Sequence, residues 1–435
     1  PSAPLFTLPS SAKINILTLS THYSFISEQK FTLSATQLIS LHLFLHRPSS
    51  DGDCTDPLFG PYISVLPREF DGHPLTWVVQ RKIGTLGNES RFLDLMPPTA
   101  RNALCAVEKR FWDDWETVCR CMASFSVVPH IVKLASRTIP ARPHPSDSVS
   151  TADYLWAWLN VNTRCLYDRI KESASDPDNI SLCPIFDFAN HTWTKQNMKL
   201  LPSDAEAWQA ILGIHSDAGS DLTCVTGDES VQEGQELFLT YGMHPQREML
   251  VEYGFVNQVA DDAFRSGEFS GEVDLQDEVQ NLFEEQGEAG IRMKQILEEE
   301  GYWGDWTIHS SPSPAYPSYR LITALRLCHI NGSNADCKED SATALQAWRD
   351  TTLGRQDIVS DENESGWRAT LVTICETVAR RADVALDELA RKSQDDGQAE
   401  REPDKWMIDN IRLLWVEERE VARAVIESVR RGDEF

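Results

Sequence analysis

The segment that most restricts how this chain can fold is CPIFDFANH, residues 183 to 191. Its apolar residues are typical of a short strand, but Asp187 interrupts the run, and Asn190 and His191 end it. A simple turn would more often use asparagine followed by glycine, because glycine adopts the positive φ of tight turns without strain. The polar residues of this segment therefore need an explanation other than chain reversal.

Length and composition indicate a globular chain of more than one domain. Its 435 residues are enough for two or three domains, each with its own core. Hydrophobic residues make up 41% and charged residues 25%, as in an average soluble protein. No run of eighteen apolar residues occurs, so we predict no membrane span.

The chain begins with Pro1 rather than methionine. The opening stretch PSAPLFTLPSS lacks the basic and apolar regions of a secretory signal. We therefore expect a fragment whose true start is missing.

The ten cysteines show no C-x-x-C pair and no spacing typical of metal ligands. Scattered reduced thiols, as in a cytosolic or nuclear protein, explain them best. The pair Cys119 and Cys121 could hold a metal, but no second pair of ligands lies nearby in the sequence. We predict no metal site.

The negative charge is concentrated in the C-terminal part. The net charge is -27, and residues 261 to 435 carry 38 acidic and 20 basic side chains, a net of -18. Such a field repels nucleic-acid phosphates and attracts basic partners. A purely solubilising role for these acids is the simpler alternative.

Local patterns divide the chain into four parts. Residues 1 to 33 alternate short apolar pieces with Ser and Thr, which predicts strands or extended chain. Residues 34 to 150 are mainly helical, and residues 151 to 257 combine a helix with strand-like runs such as GQELFLTYG. Residues 258 to 435 have the spacing of long amphipathic helices and predict a separate all-helical domain.

The first helix of the second part has a well-defined start. Ser34 and Gln37 form a capping-box pattern, in which each side chain bonds the backbone of the other. Leu38, Leu41 and Leu45 follow on one helical face.

Several familiar catalytic signatures are missing. The sequence has no G-x-x-x-x-G-K-[ST], G-x-G-x-x-G, G-x-S-x-G or H-E-x-x-H. Nucleotide hydrolysis, dinucleotide redox chemistry, ordinary esterase action and zinc proteolysis therefore have no support.

Four other segments occur in an informative order. They are NTRCLYD (162–168), PIFDFANH (184–191), ELFLTYG (236–242) and MLVEYGFV (249–256). In this order they resemble the motifs of SET-domain protein lysine methyltransferases, and more narrowly the class of the plant Rubisco large-subunit methyltransferase and its fungal ribosomal-protein relatives. The pairs N-H and Y-G are weak signals singly, but the ordered set is specific.

The resemblance implies an α+β fold. A SET core of short β-sheets (a β-clip), interrupted by a helical insert, would be followed by an all-α substrate-binding domain. The N-terminal remnant of the core would occupy residues 1–33, the insert 34–150, the C-terminal half of the core 151–257 and the helical domain 258–435.

The resemblance also implies site residues. Tyr241 would be the catalytic tyrosine beside the reacting methyl group of the cofactor, S-adenosyl-L-methionine. The pocket for the substrate lysine would be lined by Tyr253, Phe255 and Leu166. The cofactor would be bound by Asn190, His191, Arg164 and Tyr241.

These residue types suit transfer of a methyl group to an amine. A free lysine has a pKa near 10.4, so only about one in two thousand is neutral at pH 7. A desolvated aromatic channel disfavours the ammonium form and so helps to supply the neutral nucleophile.

Each site residue taken alone has a structural explanation. The tyrosines could be half-buried strand and helix residues, Asn190 and His191 turn residues, and Arg164 a solvent-facing residue. For Asp187 we favour a structural acceptor of backbone amides over a catalytic base. Only the ordered set favours the methyltransferase.

The sequence departs from the class in three places. The glycine-rich cofactor segment that the class has upstream of its LF-x-x-P stretch is absent, since LFTLP already begins at residue 5. Gln246 replaces the usual asparagine, and Leu166 replaces an aromatic residue, which leaves the degree of methylation open. The class includes an actin-histidine methyltransferase, but Leu166 with Tyr253 favours lysine.

Two functions therefore remain after the sequence alone. The first is a lysine methyltransferase, monomeric and nuclear or cytoplasmic, that acts on a basic lysine-containing protein such as a ribosomal protein, without nucleic acid or membrane. The second is a non-catalytic SET-like protein that only binds a basic partner.

Overall fold

The structure is a computed structural model. It describes residues 2–28, 31–49, 52–85, 91–124, 128–135, 143–202, 221–228, 230–330, 338–395 and 402–435. Parts of the predicted helical insert, at 86–90, 125–127 and 136–142, lie outside these residues.

The chain forms two compact units. The first consists of Pro1–Asp94, Arg101–His244 and Glu248–Asn257. The second consists of Leu95–Ala100, Pro245–Arg247 and Gln258–Phe435.

Short sheets form the β part of the first unit. An antiparallel sheet has the order β1-β6-β5, β2 pairs antiparallel with β3, and β4 pairs parallel with β7. The strands are β1 (Pro4–Leu8), β2 (Leu166–Tyr167), β3 (Ile180–Ser181), β4 (Asn190–His191), β5 (Met198–Pro202), β6 (Leu222–Thr226) and β7 (Phe238–Leu239).

Helices fill most of the chain between β1 and β2. They are α1 (Ile16–Ser20), α2 (Ser24–Glu28), α3 (Ala35–Leu45), α4 (Gly60–Val65), α5 (Pro74–Ile83), α6 (Arg91–Leu95), α7 (Pro98–Met122), α8 (Val128–Leu134) and α9 (Ser148–Arg164). Helices α3 and α9 pack against each other. A short helix α10 (Gln246–Glu248) and a π-helical turn, Met249–Tyr253, follow β7.

The capping box at the start of α3 is confirmed. The Ser34 side chain accepts a hydrogen bond from the backbone N–H of Gln37, and the Gln37 side chain accepts one from Ser34 N–H. Leu38, Leu41 and Leu45 are all buried.

The prediction of strands for residues 1 to 33 holds only for β1. In the stretch INILTLS, residues Ile16–Ser20 form helix α1 instead, because Asn15 caps it. The Asn15 side chain accepts from the N–H groups of Leu17 and Thr18, each at 3.0 Å, and the Thr18 hydroxyl bonds the Asn15 backbone in return. This cap satisfies backbone N–H groups at the start of the helix, and the prediction of a strand from Ile and Leu took no account of it.

The second unit is mainly helical and also contains a small sheet. Three short strands, which the helical periodicity did not predict, pair in the antiparallel order β10-β9-β8. They are β8 (Glu272–Asp274), β9 (Thr307–His309) and β10 (Tyr316–Pro317). The helices are α11 (Ala263–Ser266), α12 (Gln276–Glu285), α13 (Glu288–Glu299), α14 (Tyr319–Cys328), α15 (Lys338–Thr352), α16 (Asp361–Asp395) and α17 (Glu402–Arg431), and the two long helices α16 and α17 pack together.

The nine cysteines within the described residues are free thiols. Burial raises the pKa of Cys119 to about 12 and that of Cys121 to about 11. Both side chains are therefore thiols rather than thiolates at neutral pH. None of the helices in the described part of the chain has the length and apolar character needed to cross a membrane.

Candidate active site

The segment 183–191 is not the strand that its apolar residues suggest. Phe186–Phe188 form one turn of 3₁₀ helix, and only Asn190–His191 are extended, as β4. Ile185, before this turn, has φ +76° and ψ -46°, a conformation that strains a β-branched residue. Phe186 anchors the turn, because it is fully buried and its ring stacks on that of Phe6 at 4.5 Å.

The predicted strand GQELFLTYG is extended over β7 alone. Asn190 pairs with Phe238 and His191 with Leu239 in the parallel β4–β7 ladder. The Asn197 side chain fixes this ladder, because it accepts a hydrogen bond from Phe238 N–H at 2.7 Å and donates to the Glu236 carbonyl at 2.8 Å. The ladder brings the end of 183–191 beside Tyr241.

Tyr241 is bonded to this segment through both its backbone and its side chain. Its hydroxyl donates to the Ala189 carbonyl at 2.8 Å, and its backbone N–H donates to Nδ1 of His191 at 3.0 Å. Burial lowers the pKa of His191, and a hydrogen bond that its ring donates to the Asn257 side chain partly opposes this shift. His191 is thus neutral near pH 7, with Nδ1 as the acceptor.

Four rings form an aromatic cluster, consisting of His191, Tyr241, Tyr253 and Phe255. The Tyr241 centroid lies 5.1 Å from that of His191, 5.3 Å from that of Tyr253 and 6.4 Å from that of Phe255. Burial raises the pKa of both tyrosines. Both hydroxyls therefore stay protonated at neutral pH.

Leu166 lies on the small core that also supports Tyr241. Both side chains are partly buried and pack against the same cluster of six buried residues. Those residues are Leu8, Cys183, Phe186, Met198, Cys224 and Leu239.

Arg164, Asp187 and Tyr62 form a buried polar network, called here the Asp187 network. Oδ2 of Asp187 accepts a hydrogen bond from the Tyr62 hydroxyl at 2.8 Å and one from Nη1 of Arg164 at 3.1 Å. The Asp187 side chain is fully buried, while that of Arg164 is 22% exposed. Asp187 is thus an acceptor, but of side-chain groups from other elements rather than of the backbone amides alone.

The electrostatics of the Asp187 network are set by burial. Burial raises the pKa of Asp187, while the hydrogen bond from Tyr62 and the charge of Arg164 act in the opposite direction. Burial also raises the pKa of Tyr62 well above its usual range, with Asp187 adding to the effect. Within the described residues, Nε of Arg164 and Oδ1 of Asp187 are buried without a hydrogen-bond partner.

Glu252, next to Tyr253, is held by three residues from the helical part of the chain. Nδ2 of Asn162 donates to the Glu252 carbonyl at 2.9 Å and to its carboxylate at 3.0 Å. Nη2 of Arg110 donates to the same carboxylate, and Nε2 of His73 lies 3.3 Å from the Glu252 carbonyl. These bonds fix the position of Tyr253.

His73 predicts a pH dependence of stability. Burial lowers its pKa to about 4, from an ordinary value of 6.5. The unfolded chain therefore takes up a proton at higher pH than the folded one, so stability falls as the pH drops from 6.5 towards 4. We expect His73→Asn, which keeps an acceptor at the start of α5, to reduce the loss of unfolding free energy between pH 7 and pH 5 by about 2 kcal/mol. Urea unfolding at both pH values measures this difference, and identical pH profiles for the two proteins would contradict it.

The sequence motifs did not reveal three residues of this site. Tyr62 lies in the stretch FGPYISVLP, which the sequence identifies only as part of an insert, while Glu252 and Asn257 flank the Y-G-F motif. An aromatic residue with a hydroxyl inside an apolar insert is the one signal that could have indicated Tyr62.

Comparison with known proteins shows what the chain is similar to. No protein-family model matches the chain. It is 26% identical over 317 residues to ribosomal lysine N-methyltransferase 2 of Saccharomyces cerevisiae, covering 70% of this chain and 60% of that protein. It is 27% identical over 252 residues to SET domain-containing protein 4 of Mus musculus, covering 57% and 48%. The chain thus spans less than two thirds of the length of these curated relatives.

Solved structures show the same relationship at the level of the fold. The SET domain of LSMT bound to lysine and AdoHcy aligns with a TM-score of 0.55 at 14% identity, covering 99% of this chain and 82% of that one. Rubisco LSMT bound to sinefungin and monomethyllysine aligns equally well, at 13% identity. The chain therefore has the SET fold and resembles SET-domain lysine methyltransferases, which confirms the α+β class and the similarity that the four motifs predicted.

Proposed function

We propose that this chain is an S-adenosyl-L-methionine-dependent protein-lysine N-methyltransferase. The observation that carries the proposal is the aromatic cluster. Three residues that the family motifs assign to catalysis and to the lysine pocket, Tyr241, Tyr253 and Phe255, lie within 6.4 Å of one another between ring centroids. They come from two segments of the chain that only the fold brings together.

Arg164, Asn190 and His191 would hold the cofactor. Nε of Arg164 is a buried donor that lacks an acceptor within the described residues, and a carboxylate such as that of a methionyl group would satisfy it. Asn190 is exposed and His191 half-buried, so both can face a ligand. When bound, S-adenosylmethionine supplies an electrophilic methyl group on a sulfonium sulfur.

The aromatic cluster favours a neutral lysine amine. Its rings and Leu166 offer no negative charge to stabilise an ammonium group, and desolvation lowers the pKa of an amine. Tyr241 stays protonated, and its hydroxyl donates a hydrogen bond to the Ala189 carbonyl. The lone pairs of the hydroxyl oxygen are therefore left to accept a hydrogen bond from the amine N–H. Its role in the proposal is therefore to orient the amine, not to remove a proton.

Tyr253 provides the second polar contact for the substrate. Among the described residues its hydroxyl has no hydrogen-bond partner, although the Glu252 contacts hold its backbone in place. A lysine amine that enters the aromatic cluster can therefore hydrogen-bond this hydroxyl without breaking another bond.

We propose that the substrate is a basic protein, and the first candidate is a ribosomal protein. The net charge of -18 on residues 261–435 favours a partner rich in lysine and arginine. A yeast relative is named a ribosomal lysine N-methyltransferase. The proposed enzyme acts as a monomer in the nucleus or cytoplasm.

The direct test is methyl transfer from labelled cofactor. We expect the protein to label a band in ribosomal or nuclear extract, to lose that label in Tyr241→Phe, and to keep it in Tyr167→Phe. Tyr167 is a suitable control because it is 62% exposed and its hydroxyl donates to the Ala174 carbonyl, away from the aromatic cluster. Equal labelling by Tyr241→Phe and the unmodified protein would contradict the role of Tyr241.

Calorimetry with S-adenosylhomocysteine separates the enzyme from a SET-like binding protein. An enzyme binds S-adenosylhomocysteine, the product of the cofactor, and releases heat. A protein that only binds a basic partner gives no heat with this ligand. The Arg164→Ala variant is expected to weaken the binding at least tenfold, because it removes the buried donors. An absence of heat with the unmodified protein would favour the binding protein.

A further inference from the structure

Three buried side chains that play no part in the proposed active site converge near the start of the chain. His42 lies in the last turn of α3, His46 is the residue that ends this helix, and Asp56 lies in the loop that precedes α4. All three are buried, with 2%, 4% and 7% of their surfaces exposed. They are called here the His42 cluster.

The ligand atoms of the His42 cluster are close enough to share one metal ion. Nε2 of His46 lies 3.6 Å from Oδ1 of Asp56, and Nε2 of His42 lies 3.9 Å from Oδ2. Each residue offers a ligand atom within 4.8 Å of the others. Tetrahedral bonds of about 2.1 Å place ligand atoms roughly 3.4 Å apart, so only a small contraction is required.

His42 supplies the observation that points to a ligand. Its Nε2 is buried and has no hydrogen-bond partner within the described residues, although its Nδ1 lies 3.0 Å from the Tyr23 hydroxyl. A buried nitrogen without a partner is costly. When Nδ1–H donates to Tyr23, Nε2 carries the lone pair that a metal would take.

Asp56 is positioned before any ion binds. Its Oδ2 accepts hydrogen bonds from the N–H groups of Leu58, at 3.0 Å, and Phe59, at 2.6 Å. These bonds fix the carboxylate, with Oδ1 directed towards His46. This arrangement is typical of a supported metal ligand.

We propose that the His42 cluster is a zinc site, with His42, His46 and Asp56 as its three protein ligands, although the sequence alone predicted no metal site. Two imidazole nitrogens and one carboxylate oxygen suit Zn²⁺, and a water would complete the tetrahedron. The ion would link α3 to the loop that leads into α4, the helix that carries Tyr62. The proposal does not depend on methyltransferase activity.

The test uses the full chain stripped of metal with a chelator. We expect one Zn²⁺ per chain by elemental analysis after gel filtration, with a dissociation constant below about 1 µM. Cobalt in place of zinc should give the visible bands of a tetrahedral site without thiolate charge transfer in the near ultraviolet. Zinc should also raise the midpoint of thermal unfolding by several degrees, because it binds only the folded chain.

Variants identify the ligands. His42→Gln should weaken zinc binding at least 100-fold and Asp56→Asn at least tenfold, whereas His73→Asn, which alters a buried histidine outside the cluster, should leave it unchanged. A protein that binds no zinc, a cobalt spectrum dominated by thiolate, or undiminished binding in His42→Gln would each overturn the proposal. The measurements on the unmodified protein decide the matter even where a variant does not fold.

Discussion

Replacing Tyr241 with phenylalanine is expected to lower the kcat of methyl transfer at least 100-fold with little change in the fold. The substitution removes one oxygen and leaves the ring in the aromatic cluster, against His191 and Tyr253. The lost hydrogen bond to the Ala189 carbonyl costs about 1 kcal/mol of stability. Misorientation of the amine accounts for the larger kinetic effect, because alignment of reacting atoms contributes factors of this size.

Steady-state kinetics and calorimetry separate these effects. The affinity for S-adenosylhomocysteine should change less than about tenfold, so that the loss appears in kcat rather than in binding. Tyr253→Phe removes a hydroxyl from the same cluster and should cost less, because this hydroxyl is predicted only to contact the substrate amine. A Tyr241→Phe enzyme with unchanged kcat, or one whose thermal midpoint collapses, would contradict this assignment of roles.

Local signals in the sequence predicted local structure well. The Ser34–Gln37 capping box formed as expected, because both partners lie within one turn of the helix and need no distant contact. The α1 helix was missed although it has the same kind of signal, since Asn15 and Thr18 also form a capping box. Its apolar residues, typical of a strand, were given more weight than its cap.

The strands near the site were harder to predict because their length depends on distant partners. The β4–β7 ladder is only two residues long, and Asn197, some forty residues from Phe238, fixes it. The alternation of apolar residues in GQELFLTYG therefore predicted a strand longer than the observed β7. The positive φ of Ile185 has no sequence signal at all, since glycine is the residue expected there.

For the candidate site, only the motifs of the sequence indicated which residues would lie together. The ordered set brought together Tyr241, Tyr253 and Phe255, and the structure places their rings in one cluster. The link between Tyr62 and Asp187 spans 125 residues, and no periodicity or spacing encodes such a contact. The preference for Asp187 as a structural acceptor rather than a catalytic base is consistent with its hydrogen bonds from Tyr62 and Arg164.

Replacing Asp187 with alanine is expected to destabilise the protein by about 3 kcal/mol. The change leaves the Tyr62 hydroxyl and Nη1 of Arg164 without the acceptor that they share, inside a site that water reaches poorly. The expected cost is at the low end for a broken buried pair, because the Arg164 side chain is 22% exposed and water partly replaces the lost contact. Urea unfolding at pH 7 measures the difference.

A double-mutant cycle between Asp187→Ala and Tyr62→Phe tests whether the two residues act as a unit. Once Asp187 is gone, the Tyr62 hydroxyl has nothing to donate to, so removing it should cost less than in the unmodified protein, by at least about 1 kcal/mol. Asp187→Asn keeps an acceptor for Tyr62 and should lose only about half as much stability as Asp187→Ala. The two Asp187 variants should also weaken S-adenosylhomocysteine binding about tenfold, because Asp187 orients Arg164, the residue that would hold this ligand. Additive costs in the cycle would show that Tyr62 and Asp187 contribute separately, whereas unchanged ligand affinity would remove Asp187 from the positioning of Arg164.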